Sequence, residues 1–206
     1  MMLGALAASS LVHAQSQVQY SHGNPTGDEQ YMLELINRAR ANPAEEGLRL
    51  ANSTDPNVKV GIGYFGVDRT RLKRDFASYP VRPPVAMNGK LLAAARRHSN
   101  DMAKKNSQSH TGSDGSTIES RIKAAGYPMA AIGENIYSSL VPTTFVAHAG
   151  LTVDWGPGPG GLQPGLGHRM NIMGLGNATH REVGIGVGER SGANADKFGK
   201  LAVTQD

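Results

Sequence analysis

Three short segments of the chain carry side chains suited to metal binding or proton transfer. They are Ser109–Gly112 with His110, Gly133–Ile136 with Glu134, and Gly167–Met173 with His168. Two imidazoles and one carboxylate are ligands that Zn²⁺ prefers, and an open fourth position would hold a water molecule. Because roughly 24 and 34 residues separate the three side chains, no regular motif links them, and only the fold can bring them into one site.

Each of the three side chains also has a structural interpretation. In a Gly-Glu-Asn turn, the Glu134 carboxylate can accept backbone N–H bonds and fix loops against a sheet, and Asn135 can do the same. His110 can cap a local turn. His168 precedes a short predicted helix and can pack at its end. The residues alone leave open whether they serve a site or the fold.

Other candidates for chemistry carry weaker signals. His98 shares a helical stripe with Leu91, Ala95 and Met102, which predicts an interior histidine rather than a ligand. No Gly-x-Ser-x-Gly elbow occurs in the chain, which argues against a serine hydrolase. The glycine-rich stretch 156–161 lacks the Gly-Lys-Ser/Thr sequence of a phosphate-binding loop.

Four helices are predicted around these segments from the helical spacing of apolar residues between starting and stopping signals. They run from a capping box at Thr26–Glu29 to Asn42-Pro43, from about Gly89 to Asn106, from a capping box at Ser116–Glu119 to Gly126, and from Pro142 toward Trp155. Residues 52–84, between the first two helices, contain several prolines and glycines and a basic run. This composition predicts a long irregular insertion or a lid-like loop.

The last third of the chain predicts a small antiparallel sheet. Glycine alternates with Val183, Ile185 and Val187, so one face of this strand, from residue 182 to 188, is bare enough for another element to pack closely. Phe198–Thr204 predicts a second strand, and the polar stretch 190–196 between them is typical of a hairpin connection. Helices first and strands late predict an α+β domain in which helices cover the sheet.

Composition limits the setting of any site. The chain has 206 residues, a formal net charge of +4, 26 glycines, 11 prolines and no cysteine. A metal site would therefore use His, Asp or Glu, and stability must come from packing rather than from disulfides. The basic residues concentrate only at Arg69–Arg74, without the aromatic-interleaved patch of a nucleic-acid-binding protein, so no nucleic-acid partner is expected.

The N-terminal residues predict export. Residues 1–12 are uncharged and mostly apolar, and Val12 and Ala14 are small residues suited to a cleavage site before Gln15. We therefore expect a signal peptide at residues 1–14, a disordered segment at 15–27 and a folded domain at 28–206. The apolar run is too short to span a bilayer, and no transmembrane segment is expected after it. The mature protein is expected outside the cell or in the periplasm.

The order of these segments resembles the bacterial branch of the CAP superfamily, which comprises the cysteine-rich secretory, antigen 5 and pathogenesis-related 1 proteins. The resemblance covers about residues 29–206. It rests on Leu33–Arg40, Asn88–Met102, Ser109–Gly112, Gly133–Ile136, Gly167–Ile172 and Glu182–Val187. The family implies an α-β-α sandwich with a small antiparallel sheet flanked by helices, export, and a central cleft that binds a divalent metal, often zinc, in some members. By this resemblance, the cleft histidines are His110 and His168, and the cleft glutamate is Glu134.

The chain departs from the family pattern at one rim of that cleft. Many members carry a second cleft glutamate three residues after a tryptophan, whereas Trp155 is followed by the Gly/Pro stretch 156–165 and position 158 is glycine. A single carboxylate that serves as a metal ligand leaves no second one to activate water. The departure therefore favours binding over catalysis.

We therefore expect a secreted binding module whose central cleft, formed by His110, Glu134 and His168, holds a divalent metal or a small apolar ligand. A lipid, an envelope component or a protein is the expected partner of its loops. The alternative is a metal-dependent hydrolase that acts on peptide or cell-envelope bonds, with Glu134 as the catalytic residue. A purely structural domain is the third interpretation.

Overall fold

The computed structural model of the chain describes residues 20–129, 131–176, 180–191 and 198–206. The predicted signal peptide at 1–14 lies outside the described residues, and so does most of the predicted hairpin connection at 190–196. Within these ranges the helices are α1 (Gly27–Ala41), α2 (Pro43–Ala51), α3 (Pro56–Phe65), α4 (Arg69–Ala77), α5 (Gly89–Lys105), α6 (Ile118–Ala124), α7 (Thr144–Val153) and α8 (Gly167–Met173). The strands are β1 (Ala86–Met87), β2 (Asn135–Ser139), β3 (Glu182–Val183), β4 (Ile185–Glu189) and β5 (Leu201–Gln205).

The four predicted helices are present as α1, α5, α6 and α7. The predicted capping box opens α1, because the Thr26 side chain accepts from the Glu29 N–H and the Glu29 carboxylate accepts from the Thr26 N–H. The start of α6 differs from the prediction by one residue. Its N-cap is Thr117, and Ser120 completes the box because its hydroxyl accepts from the Thr117 N–H.

Residues 52–84, predicted to be irregular, instead contain α3 and α4. Asp55 and Asp68 start the two helices by accepting backbone N–H bonds from their first turns. Pro56 occupies the first turn of α3, where the absence of an N–H group loses no helical hydrogen bond. Gly66 ends α3 in a left-handed conformation. Pro56 and Gly66 thus mark the two ends of α3, and the prolines at 80, 83 and 84 lie in the non-helical residues after α4.

Residues 20–26 differ from the predicted disordered segment at 15–27. The Tyr20 hydroxyl lies 2.8 Å from the carbonyl oxygen of Met87 and 2.9 Å from a carboxylate oxygen of Glu182. Gly23 packs so closely on Gly89 that a Cβ at position 23 would lie 2.6 Å from the Gly89 Cα. These contacts tie the described segment to the domain, and Gly27 already belongs to α1.

The main sheet has three antiparallel strands in the order β2-β5-β4. Val203 of the central strand β5 pairs with Tyr137 on β2 and with Val187 on β4. The predicted strand at 182–188 is divided at Gly184, because β3 pairs with β1 in a separate parallel ladder whereas β4 pairs with β5. The last predicted strand, Phe198–Thr204, begins later than expected, at Leu201.

Helices cover both faces of this sheet. On one face, the glycines of β4 let α5 approach the strand, and a Cβ at Gly188 would lie 2.6 Å from the carbonyl oxygen of Ser99. On the other face, Ile185 and Val187 join the main core together with residues of α1 and α7. This layering confirms the predicted α+β fold. Among the described residues, no helix is long and apolar enough to cross a membrane.

Candidate functional site with two histidine–carboxylate pairs

His110 lies in the loop between α5 and α6, and side chains from both helices hold this loop. From α5, the buried His98 donates its Nε2–H to the carbonyl oxygen of Ser109 at 2.8 Å. From α6, Arg121 donates to the carbonyl oxygen of His110 at 3.2 Å. The predicted interior position of His98 is thus confirmed, and its side chain also fixes the residue next to His110.

His110 and Glu134 are in direct contact. Nδ1 of His110 lies 2.7 Å from Oε1 of Glu134, and the imidazole is 60% exposed whereas the carboxylate is 3% exposed. An ionised carboxylate only accepts hydrogen bonds, so this contact assigns the proton of a neutral His110 to Nδ1. The lone pair then lies on Nε2, the ring nitrogen that can coordinate a metal.

The second oxygen of Glu134 is bound by the guanidinium of Arg121, whose side chain is buried. Arg121 also donates to the carbonyl oxygen of Ser116 at 2.9 Å. A buried carboxylate is tolerated when a cation and hydrogen bonds compensate for its lost hydration. Both oxygens of Glu134 are thus bound by side chains. The structural interpretation of Glu134 predicts instead that the carboxylate accepts hydrogen bonds from backbone N–H groups.

His168 lies in the first turn of α8 and pairs with Asp154, a carboxylate that the sequence analysis missed. Nδ1 of His168 lies 2.8 Å from Oδ1 of Asp154, whose side chain is fully buried. Asp154 ends α7 in a left-handed conformation with φ of +56°, and its Oδ2 accepts from the Arg169 N–H at 3.2 Å. Asp154 therefore caps the start of α8 while it orients the imidazole.

Position 158 has no room for the second glutamate of the family pattern. A Cβ on Gly158 would lie 2.5 Å from the carbonyl oxygen of Leu162. The loop turns back on itself here, because Trp155 and Leu162 form a β-bridge and the Gln163 N–H donates to the Asp154 carbonyl oxygen at 2.7 Å. The carboxylate beside His168 is instead that of Asp154, the residue before Trp155. Its position at the end of a predicted helix is the feature of the sequence that could have indicated a role for it.

The Gly/Pro loop at 156–165 rests on the helices of residues 52–84. The Asp68 N–H donates to the carbonyl oxygen of Gly160 at 3.0 Å, and Arg71 donates to that of Pro159 at 2.9 Å. The rings of Phe65 and Trp155 are stacked with centroids 6.4 Å apart. The corner between α3 and α4 therefore supports the rim of the site that carries Asp154.

The segments of the two pairs are joined through Asn135, which follows Glu134 at the start of β2. Asn135 Nδ2 lies 3.3 Å from the carbonyl oxygen of His168, and its Oδ1 accepts from Asn171 at 2.9 Å. In the described part of the chain, no three His, Asp or Glu side chains are grouped closely enough to hold one metal ion. A zinc site formed by His110, Glu134 and His168 stays a prediction.

Asp206 is a further acid near Glu134. Burial and the neighbouring Glu134 carboxyl raise the pKa of Asp206 well above its usual range. The Asp206 carboxyl shares a hydrogen bond with Glu134 and has no other partner among the described residues. The site thus contains an acid whose neutral form is favoured by its surroundings.

The comparison with known proteins identifies one family. The family model described as CAP, the cysteine-rich secretory protein family, matches residues 33–203. No curated protein and no solved structure matches the chain. The matched range contains both histidine–carboxylate pairs and most of the folded chain. The chain therefore belongs to the CAP family of cysteine-rich secretory proteins.

Proposed function

We propose that the chain is a secreted CAP-domain binding module that holds a divalent metal, zinc being the expected ion, on Nε2 of His110 and Nε2 of His168. The observation that carries this proposal is the bond between Nδ1 of each imidazole and a buried carboxylate. Metal-binding histidines generally donate their other ring N–H to a carboxylate or carbonyl, which fixes the tautomer and the ring orientation.

In this proposal Glu134 supports the metal through His110. Both of its oxygens are already bound, one by His110 and one by Arg121. Asp154 does the same for His168. Water molecules or a group from a bound lipid, envelope component or protein would complete the coordination, since zinc usually takes four ligands.

Zinc titration of the purified protein tests the proposal. We expect uptake of about one Zn²⁺ per chain and no uptake in the His110→Ala, His168→Ala double variant. Glu134→Gln and Asp154→Asn should each weaken zinc affinity by about 10- to 100-fold. The control is His22→Ala, which removes an exposed imidazole outside the site. A folded double variant that binds zinc as the parent protein does would contradict the shared site.

A metal-dependent hydrolase of peptide or cell-envelope bonds is less well supported by the geometry. A general base must present a free oxygen to the attacking water, whereas Glu134 has a partner on each oxygen. Turnover on a peptide and peptidoglycan panel that disappears in Glu134→Gln, with zinc still bound, would favour hydrolysis over binding.

Export is proposed from residues 1–14 and from the secretory character of the family. The apolar run and the small residues Val12 and Ala14 favour cleavage before Gln15. The N-terminal sequence of the protein recovered from the periplasm or the medium should therefore begin at Gln15. Recovery of the chain only inside the cell, with Met1 retained, would contradict export.

A further inference from the structure

A cavity of about 240 Å³ lies beside Glu134 and is lined by Gly133 and Asp206. Its walls are mainly aliphatic and come from helices and strands distant in sequence. Six of the wall residues are Ile36, Val85, Leu91, Ile122, Ile172 and Val183. Neither His110 nor His168 lines the cavity. By proportion to an apolar cavity of about 150 Å³ that holds benzene, it has room for a molecule of about ten non-hydrogen atoms.

Two adjacent residues bring unused hydrogen-bonding atoms to this cavity. Gln205 accepts from Asn135 through Oε1 at 3.0 Å, but its buried Nε2 has no acceptor among the described residues. Asp206 shares a hydrogen bond with Glu134, and no other partner of its buried carboxyl is found there, so one of its oxygens is free to accept. Buried polar atoms are nearly always hydrogen-bonded, so a donor and an acceptor at one apolar cavity indicate a ligand that supplies both complements.

Glu182 and Arg40, two other polar residues of the lining, are already hydrogen-bonded within the protein. Glu182 accepts from Tyr127 at 2.7 Å and from Asn88 at 2.7 Å. Arg40 donates to carbonyl oxygens at the end of α8, including that of Ile172 at 2.6 Å. Among the buried side-chain atoms of the lining, those still able to bind a ligand therefore belong to Gln205 and Asp206.

We propose that this cavity binds a small aliphatic amide. The amide oxygen accepts from Nε2 of Gln205, the amide N–H donates to a carboxyl oxygen of Asp206, and the hydrocarbon part fills the aliphatic walls. An amide carries a donor and an acceptor side by side, whereas a carboxylate or a ketone of the same shape carries acceptors only. This cavity adjoins the histidine site through the contact between Asp206 and Glu134, and it extends the proposed function from metal binding to a second ligand.

Three probes with the same branched skeleton test the proposal on the full chain. They are isovaleramide, isovalerate and 4-methyl-2-pentanone, and their binding can be compared by calorimetry or ligand-observed NMR. We expect the amide to bind about tenfold more tightly than the other two, since only the amide pairs with both residues. Tighter binding of isovalerate, or equal binding of all three, would overturn the amide assignment.

Variants locate the binding site. Asp206→Leu should weaken isovaleramide binding by about tenfold or more, whereas Asp206→Asn, which keeps an acceptor oxygen, should retain binding. Ala131→Trp places a large side chain at an exposed lining position and should abolish binding, whereas Ala124→Trp, exposed on α6 and outside the lining, should not. Zinc titration of Ala131→Trp should match the parent protein, so failure of this proposal is distinguishable from failure of the metal site. Unchanged isovaleramide binding in Ala131→Trp would place the ligand elsewhere.

Longer probes that contain the same amide group distinguish whether the natural ligand is a peptide or an acylated amine. N-acetyl-leucine amide mimics a peptide, and an N-methyl amide of a short fatty acid mimics an acylated amine. The probe that binds more tightly, and that loses binding in Ala131→Trp, identifies the source. Binding of both probes at another position, unaffected by Ala131→Trp, would contradict the cavity.

Discussion

The two carboxylates that hold the histidines are stabilised in different ways. Glu134 has a buried cation, Arg121, against one oxygen. Asp154 instead accepts a backbone N–H at the start of α8, where the helix dipole also favours negative charge. Both arrangements compensate the charge of a buried carboxylate, but only that of Glu134 depends on the side chain of another residue, Arg121. The His110 half of the site is therefore the half that a single distant substitution can disrupt.

Arg121→Ala should lower the free energy of unfolding by about 3–5 kcal/mol, because it leaves Glu134 buried without its cation. The substitution also removes the donors that hold the His110 carbonyl. Chemical denaturation measures the loss, and Lys123→Ala, an exposed change on the same helix, should stay within about 0.5 kcal/mol of the parent protein. Equal stability of the two variants would show that the ion pair is unimportant.

The sequence motifs predict His110, Glu134 and His168 as site residues, but they do not predict which carboxylate contacts which histidine. The His110–Glu134 contact joins two loops, and nothing in their spacing fixes which ring nitrogen meets the carboxylate. Asp154 was missed because its partner lies 14 residues further on, beyond a loop of unusual composition. Arg121 was missed because an arginine on a short polar helix usually faces water.

Among the elements, α5 and β4 are joined by unusually close backbone packing. The three glycines 184, 186 and 188 lie against backbone atoms of α5, and no side chain fits between the two elements. The sequence predicts this close packing, because glycine alternates with Val183, Ile185 and Val187 and leaves one face of the strand without side chains. The packing holds His98 and the His110 loop in place relative to the sheet.

Gly186→Ala should destabilise the protein by at least about 2 kcal/mol, because the new Cβ would overlap the backbone of Ala95. The matched control is Gly63→Ala on α3, where a Cβ meets nothing within 4 Å. That change should stabilise the protein by about 0.5–1 kcal/mol through helix propensity. Thermal and urea unfolding of both variants measure the difference, and a neutral Gly186→Ala would contradict the close packing.

The helices were predictable where their caps were local and unambiguous. Thr26 and Glu29 mark the start of α1 in the sequence as clearly as in the structure. In contrast, the sequence does not indicate α3 and α4 directly, because proline and glycine usually interrupt helices and Pro56 and the glycines near it therefore predict an irregular stretch. Proline is favourable in a first helical turn, so the aspartates at 55 and 68 were the informative residues.

Across the whole molecule, several buried ionisable groups connect elements that are distant in sequence. His148 on α7 bonds to Glu46 on α2 at 3.0 Å, and Arg38 on α1 bonds to the same carboxylate at 2.8 Å. Burial lowers the pKa of His148 and of His98, and burial together with Arg40 lowers that of His180. Although burial opposes it, hydrogen bonding by His148 and Arg38 lowers the pKa of Glu46 to about 2.

Stability should therefore fall as the protein is acidified, in two stages. Below the unfolded histidine pKa of about 6.5, the unfolded chain binds protons that the folded histidines do not, and the free energy of unfolding decreases. Glu46 contributes stability above the unfolded glutamate pKa of about 4.3, and this contribution is lost as the pH falls toward 2. Urea denaturation between pH 8 and pH 3 measures both stages.

The substitutions His98→Gln and His148→Gln should flatten the first stage, since they remove groups that gain protons on unfolding. A free energy of unfolding that rises from pH 7 to pH 5 in the parent protein would contradict the direction of these pKa shifts.

The contact between Asp154 and His168 joins the two ends of the Gly/Pro loop at its base. The position of the imidazole therefore depends on the contact between the two ends of the loop, and not on the conformation of the residues between them. Loop-closure entropy changes slowly with length, by about 0.6 kcal/mol for each doubling. A change in the length of this loop should therefore cost His168 little, whereas side chains at Gly158 and Gly161 should not be accepted, because their Cβ atoms would lie 2.5 Å from backbone oxygen atoms.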